Sequence, residues 1–344
     1  TPQHSATVRT VFIIGPDKKV RLTMTYPMSV GRNFAEILRA LDAVRMTDGV
    51  PLATPANWVP GQDVIVALSL DDAAAEAKAG TSVLLIGVLD KVGTFGMIRY
   101  CLPIFPSASD FYAPLVIALA LVGIFYGAFV ALSQTDMKRL FAYSSMSHFG
   151  FIALGIFVFT STGQSGSVVY MVAHGLSTAL LFLAAGYLWT RYHGSSQISD
   201  YAGVNKAAPV LSGFFLLAAL SSLALPGLLS FVGEFLVLVG TFQRYLWVGA
   251  IATLGIVITA AYVLRLYQRS MTGPLKPELD GLRDIGVRER VALAPIAALV
   301  IVLGLFPAPL LNVINPAVDR VMTSIGATDP SPTVVGAPAE GTNP

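Results

Sequence analysis

From about residue 81 onward the chain runs in long apolar stretches parted by short polar breaks, whereas residues 1–80 mix apolar and charged positions closely. A helix that crosses a bilayer needs roughly 20 mostly apolar residues. Stretches at 81–102, 112–133, 141–160, 167–189, 210–241, 246–268 and 291–312 answer that description. The fifth is too long for one straight span and contains Pro226-Gly227. Proline lacks a backbone donor and glycine permits a break, so two half-helices are expected there. The pattern predicts a mainly α, polytopic membrane helix bundle of about seven spans, one of them broken.

Upstream the period changes. Residues 7–14 (TVRTVFII) and 20–26 (VRLTMTY) read as strands joined by a hairpin turn at Gly15-Pro16-Asp17-Lys18-Lys19. Phe34, Ile37, Leu38, Leu41 and Val44 recur at helical spacing over 32–46, and Asp48-Gly49 closes that helix. Pro51, Pro55, Pro60 and Gly61 mark loop, and 63–70 reads as a short strand. So few elements in about 70 residues cannot enclose a full core. The expected order is a small soluble α+β fragment at 1–70, a membrane domain at 71–322, and a tail at 323–344. That tail is rich in Pro, Gly, Thr and Ala and is expected to be disordered.

Composition sharpens the picture. The chain is 54% hydrophobic and 12% charged, where soluble domains are about 25% charged. A net charge of +2 gives no basis for a nucleic-acid partner. The single cysteine, Cys101, excludes a disulfide framework within the chain. The start at Thr1, without an apolar signal segment, is expected to mark a partial sequence. Lys138, Arg139, Arg191, Lys206, Arg269, Lys276, Arg283, Arg288 and Arg290 collect on one side of the spans, against Arg99, Arg244 and Arg320 on the other. The basic side is expected to be cytoplasmic, which places the N-terminal segment inside and the C-terminal tail outside.

Candidate chemistry lies in the spans themselves. An ionised group at the bilayer centre costs roughly 2.5–3.5 kcal/mol on insertion scales, so such residues usually serve a function. Asp90-Lys91 sits in LLIGVLDKVGTFGM, His148 in YSSMSHFGF, His174 in YMVAHGLSTALLF, and Glu234 in SFVGEFLVL after the Pro226-Gly227 break. Each also has a structural reading: Lys91 as the partner of Asp90 or of a neighbouring helix, and the histidines as interhelical hydrogen-bond links. Glu234 is harder to read that way, because broken helices beside acidic groups recur at ion sites in transporters. Lys138 and Arg139 read as anchors at a helix end. Burial disfavours the charged forms of Lys91 and Glu234, so for these two groups loading and releasing a proton become closer in cost. Lys91, His148, His174 and Glu234 therefore form a candidate proton path. No Walker motif, dinucleotide fingerprint or metal-ligand cluster is present, so no cofactor is expected in this chain.

Four stretches carry a resemblance: LLIGVLDKVGTFGMIRYCLPIFP, GIFYGAFVALSQTDMKRLFAYSSMSHFGF, AHGLSTALLF and ALPGLLSFVGEFLVL. Over about 72–320 they resemble, in order, the antiporter-like membrane subunits of respiratory NADH dehydrogenase (complex I), M-type subunits in particular. The resemblance implies that Lys91 and Glu234 are central proton-path residues and that His148 and His174 lie near that path. It also implies other membrane-arm subunits, the lipid bilayer and protons as partners, and a place in a bacterial cell membrane. The chain departs from the family in lacking an upstream helix block that carries a glutamate and a lysine. A family loop motif is reduced to Asp72-Ala73-Ala74, with Ala74 where a histidine belongs.

Residues of about 4–68 are similar instead to one-cysteine peroxiredoxins downstream of their active-site cysteine. Arg9 then matches an arginine that helps to activate the peroxide-reacting thiolate. The nucleophilic cysteine has no counterpart, and Cys101 lies near the far membrane interface, so no peroxidase activity is expected. The leading reading is a proton-translocating membrane-arm subunit of an NADH–quinone oxidoreductase, without a redox site in this chain. The alternatives are a stand-alone cation/proton antiporter of related fold and a thiol-peroxidase remnant.

Overall fold

The computed structural model describes residues 9–27, 30–47, 52–53, 59–60, 65–66, 83–192 and 194–330. The chain divides into two compact units, Thr1–Ala74 and Ala75–Pro344.

In the first unit, strands β1 (Arg9–Ile14) and β2 (Val20–Tyr26) pair antiparallel, with Thr10 opposite Thr25 and Phe12 opposite Thr23. The turn is closed by Lys18 N donating to Gly15 O at 2.9 Å. Helix α1 (Phe34–Thr47) starts where Asn33 Oδ1 accepts from Glu36 N at 3.2 Å, a side-chain cap. Within it Glu36 and Arg39 pair across one turn at 2.7 Å. Two short strands, β3 (Leu52–Ala53) and β4 (Ile65–Val66), also pair antiparallel. The proline-rich stretch read as loop thus contributes a strand, because its residues 52–53 have a partner further along the chain. The strand expected at 63–70 is described only at Ile65–Val66, and Asp48-Gly49 lies outside the described residues. Among those residues the buried apolar side chains of this unit are Ile13 and Ala40.

Among the described residues the regular elements of the second unit are helices. Helix α2 covers 83–104 and is irregular. Wide, π-type turns at Leu85–Leu89 and Met97–Cys101 flank the regular segment Asp90–Gly96, and Leu102–Ile104 ends it. Next come α3 (Pro106–Ser133), α4 (Met137–Phe157) and α5 (Ser161–Arg191). Asp136 caps α4 by accepting from Arg139 N at 2.9 Å, and Thr160 caps α5 by accepting from Gly163 N at 3.1 Å. After the short α6 (Val204–Ala207) follow α7 (Pro209–Ser222), α8 (Leu229–Arg244), α9 (Leu246–Met271), α10 (Val287–Leu305) and α11 (Ala308–Ser324).

Among the described residues, α3, α4, α5 and α9 are each long and apolar enough to cross a membrane, and the bent pair α10–α11 makes up to five. The chain is a mainly helical, multi-pass membrane protein. The broken helix falls where Pro226-Gly227 was expected to put it. Between α7 and α8, Ala224 and Gly227 take φ of +58° and +94°. The break keeps its backbone donors occupied, Ala224 N on Ser221 O and Leu225 N on Leu220 O, each at 3.0 Å.

Two expectations need correction. The span read at 291–312 is not straight: α10 and α11 meet at an angle of 73° at Phe306-Pro307. Pro307 cannot continue the helix hydrogen bonds, and α11 then buries one face through Ile314, Val318 and Met322. The start of the tail expected from 323 is also ordered. Helix α11 runs to Ser324, and Asp329 Oδ1 accepts from Ser161 N at 2.7 Å. Residues beyond 330 lie outside the described residues.

The basic residues gather where loops interlock. Arg191, at the end of α5, donates to both oxygens of Glu289 in α10 at 2.7 and 2.6 Å, and to Arg283 O at 3.0 Å. Asp284 accepts from Val210 N at 2.8 Å and Leu211 N at 3.0 Å, capping the first turn of α7. The opposite end is tied by Arg244 Nη1 to Phe159 O at 3.1 Å. Two apolar clusters fill the bundle. One holds Phe141, Leu180, Phe215 and Leu266; the other holds Ile124, Phe151, Tyr170 and Leu229. On α4 the residues between the clusters are Ser144, Ser145, Ser147 and His148, and on α5 they are His174, Ser177 and Thr178. A polar layer therefore crosses the middle of the bundle.

Candidate functional site

Glu234 lies in that layer, six positions into the sequence of α8 from its start and 4% exposed. A carboxyl group so deeply buried needs a partner. It has one: the Tyr170 hydroxyl of α5 donates to Glu234 Oε2 at 3.0 Å. The same hydroxyl lies 2.7 Å from His148 Nδ1 of α4. On the other side of that imidazole, Nε2 lies 3.2 Å from Ser144 Oγ, which lies 2.7 Å from the Tyr262 hydroxyl of α9. Five buried side chains on four helices are thus joined by four consecutive hydrogen bonds.

Local geometry explains this convergence. Ser144 and His148 are four residues apart on α4, one turn, so they project from the same face. Tyr170 and His174 have the same spacing on α5. Helix α8 reaches Tyr170 because Gly233 has no side chain. A Cβ there would stand 2.7 Å from the N, Cα and Cβ of Tyr170. Close approach through a small residue is the usual way for helices to pack in lipid.

His174 is 3% exposed and lies on a side branch. Its Nε2 meets Ser145 Oγ at 3.1 Å, and its ring centre is 5.3 Å from that of His148. Its Nδ1 is buried without a hydrogen-bond partner among the described residues. Lys91 is not joined to the chain of hydrogen bonds. Its Nζ donates to Ile86 O, within the wide turn of α2, and lies 5.3 Å from the centre of the Phe149 ring. That ring is 5.4 Å from the ring of His174, so Phe149 touches both groups. Asp90 is exposed. It lines an open hollow together with Ile86, Ser145 and Phe149.

Of the four residues singled out from sequence, the structure links His148 and Glu234 through Tyr170, sets His174 beside them, and leaves Lys91 at the edge. Pro226 and Gly227 fall in the break, where Ser177, Ser221 and Ser230 share hydroxyl hydrogen bonds. The sequence reading passed over Tyr170, Ser144, Tyr262 and Phe149. A search for polar side chains one turn from each histidine would have found Ser144 and Tyr170. Arg9 stands in β1 with its side chain outside the described residues, and Cys101 is exposed near the end of α2 in the other unit. Among the described residues, no group of three or more His, Cys, Asp or Glu side chains could hold a metal ion.

Comparison with known proteins adds to this geometry. Residues 64–259 match the family described as NADH:quinone oxidoreductase/Mrp antiporter, transmembrane, and residues 43–80 match the C-terminal domain of 1-Cys peroxiredoxin. NADH-quinone oxidoreductase subunit M of Mycobacterium tuberculosis is 53% identical over 265 residues, which are 77% of this chain and 48% of that protein. A chain of respiratory complex I from Thermus thermophilus superposes with a TM-score of 0.68 at 32% identity, covering 72% of this chain and 52% of that one. A chain of the Mrp complex from Dietzia sp. shares the fold, with a TM-score of 0.66 at 17% identity, covering 74% of this chain and 57% of that one. The chain spans about half the length of the relatives it matches.

Proposed function

The chain belongs to the NADH:quinone oxidoreductase/Mrp antiporter transmembrane family, and on that premise we propose that it is a membrane-arm subunit of a proton-pumping NADH–quinone oxidoreductase. Glu234, His148, His174 and Lys91 carry protons across the middle of the bundle. The observation that supports this reading best is the unbroken set of hydrogen bonds from Glu234 through Tyr170 to His148, buried between two apolar clusters. Ionisable groups held this way in a membrane bundle mark proton relays, and the helix break two turns before Glu234 is a usual companion of such sites. Neutral forms at Glu234 and His148 keep each hydrogen bond while avoiding the cost of burying charge. The chain would work beside other membrane-arm subunits in a bacterial cell membrane, its basic face towards the cytoplasm. Residues 1–70, without a nucleophilic cysteine, take no part in redox chemistry under this reading.

The test uses inverted membrane vesicles that contain this chain within its native assembly. Glu234→Gln should abolish or strongly reduce NADH-driven acidification of the vesicle interior. NADH oxidation by an artificial electron acceptor, which needs only the hydrophilic part of such an enzyme, should persist. Acidification at the unsubstituted rate would overturn the reading.

A further inference from the structure

With Glu234 ionised, the hydrogen bonds around Tyr170 have one consistent direction. A tyrosine hydroxyl has one proton to give, and here it goes to Glu234 Oε2. The 2.7 Å contact with His148 Nδ1 must then be a bond that the phenol oxygen accepts, so Nδ1 carries the imidazole proton. His148 Nε2 is left as an acceptor, and Ser144 donates to it. With its one proton so used, the Ser144 oxygen accepts from the Tyr262 hydroxyl. Every donor points the same way, from Tyr262 to Glu234. Tyr262 also lines a narrow cleft with Gln134, Arg265 and Arg269, on the side of the bundle where the basic residues gather.

We infer that the Tyr170 hydroxyl is itself a proton carrier, the bridge across which His148 loads Glu234. The inference rests on the proton-path reading above. In the transfer the Tyr170 O–H bond breaks as the Glu234 Oε2–H bond forms. The His148 Nδ1–H proton moves to the Tyr170 oxygen, His148 Nε2 takes the Ser144 proton, and Ser144 takes that of Tyr262. A hydronium ion in the cleft restores Tyr262. The net change is one proton removed from water and one added to the Glu234 carboxylate. Afterwards His148 holds its proton on Nε2 and every bond in the row points backwards, so the imidazole and hydroxyls must reset before a second transfer. Tyr170 lies on α5 between α4 and α8, with its ring held 5.8 Å from that of His148 and 6.3 Å from that of Phe151. No other hydroxyl spans the gap between the imidazole and the carboxyl among the described residues.

The experiment compares three variants in the native assembly in inverted vesicles, reading NADH-driven acidification. Tyr170→Phe keeps the ring contacts and removes the carrier; acidification should fall at least tenfold, as expected for Glu234→Gln. Replacing Tyr170 by 3,5-difluorotyrosine keeps both hydrogen bonds but makes the phenol a stronger acid. The rate should then change at least threefold, with an altered ratio between H2O and D2O. Full acidification in Tyr170→Phe, with loss in Glu234→Gln, overturns the carrier role and leaves the general reading standing. Full acidification in both overturns the two together. If Tyr170→Phe fails to assemble, the difluorotyrosine variant decides: an unchanged rate and isotope ratio would mean that the hydroxyl only holds Glu234 in place.

Discussion

Substituting Gly233→Ala puts a methyl group where α8 meets α5. The new carbon would lie 2.7 Å from the backbone N and Cα of Tyr170, and ordinary carbon contacts are about 3.5–4.0 Å. Backbone atoms cannot rotate away, so the helices must part by about 0.8 Å or more. If that separation falls along the Tyr170–Glu234 bond, its 3.0 Å grows to about 3.8 Å, beyond a hydrogen bond. Overpacking costs about 1–3 kcal/mol, and leaving a buried carboxyl or phenol without its partner adds about 1–3 kcal/mol. The expected results are a lower thermal-unfolding midpoint in nanodiscs and NADH-driven acidification slowed on the order of tenfold to a hundredfold, as for other misplaced reacting groups. Gly213→Ala is the control. Gly213 is exposed on α7 with nothing within 4 Å of an added Cβ, so there alanine should be neutral or stabilise by up to about 1 kcal/mol. Equal melting in the two variants, with Gly233→Ala acidifying at the normal rate, would refute the reasoning.

Other consequences are separately testable. Asp284→Ala removes the acceptor of the first two backbone donors of α7 and should cost about 1–2 kcal/mol, measured by thermal unfolding; a melting curve unchanged from the parent would show that water caps the helix as well. Arg191 and Glu289 are 19% and 24% exposed at the side chain, so a double-mutant cycle should give a coupling of about 1 kcal/mol or more that shrinks only partly in high salt. On a Cys101→Ser background, cysteines placed at Lys138 and Lys276 should react from the cytoplasmic side, and one placed after Arg320 from the outside; Lys276 labelled from outside would reverse the proposed orientation. The chain should show no thiol-dependent reduction of hydrogen peroxide, and turnover that survives Cys101→Ser would contradict this because no thiolate would remain.

The bundle was legible in the sequence because a bilayer imposes long, uninterrupted apolar stretches. Lys91, His148, His174 and Glu234 stood out because charge is costly there. The break at Pro226-Gly227 was legible for a similar reason: each residue removes or relaxes something a helix requires. Tyr170 was not. Tyrosine is common in spans and raises no alarm by itself, and its partner Glu234 is 64 positions away. The wide turns that flank Asp90–Gly96 were hidden as well, because no residue type marks them. The bend at Phe306-Pro307 was concealed inside an apolar run, where hydropathy continues although the helix direction does not.

The same bonds that would let the row of side chains pass protons also satisfy it in a buried setting. Between Tyr262 and Glu234 each interior group both donates and accepts, so none is left unsatisfied in a medium that penalises loose polar atoms. Stability and proton conduction therefore favour one arrangement along that stretch. The two requirements part at His174 and Lys91. His174 keeps a buried, unpartnered Nδ1, and Lys91 spends its bond on the Ile86 carbonyl while lying over the Phe149 ring. An aromatic ring carries no exchangeable proton, so transfer from Lys91 to His174 requires movement of Lys91 off Phe149 or water between the two groups. The wide turn in α2 lies directly before Lys91. Within the proposed path, the fixed segment runs from Tyr262 to Glu234, and the step that can be gated lies at Phe149.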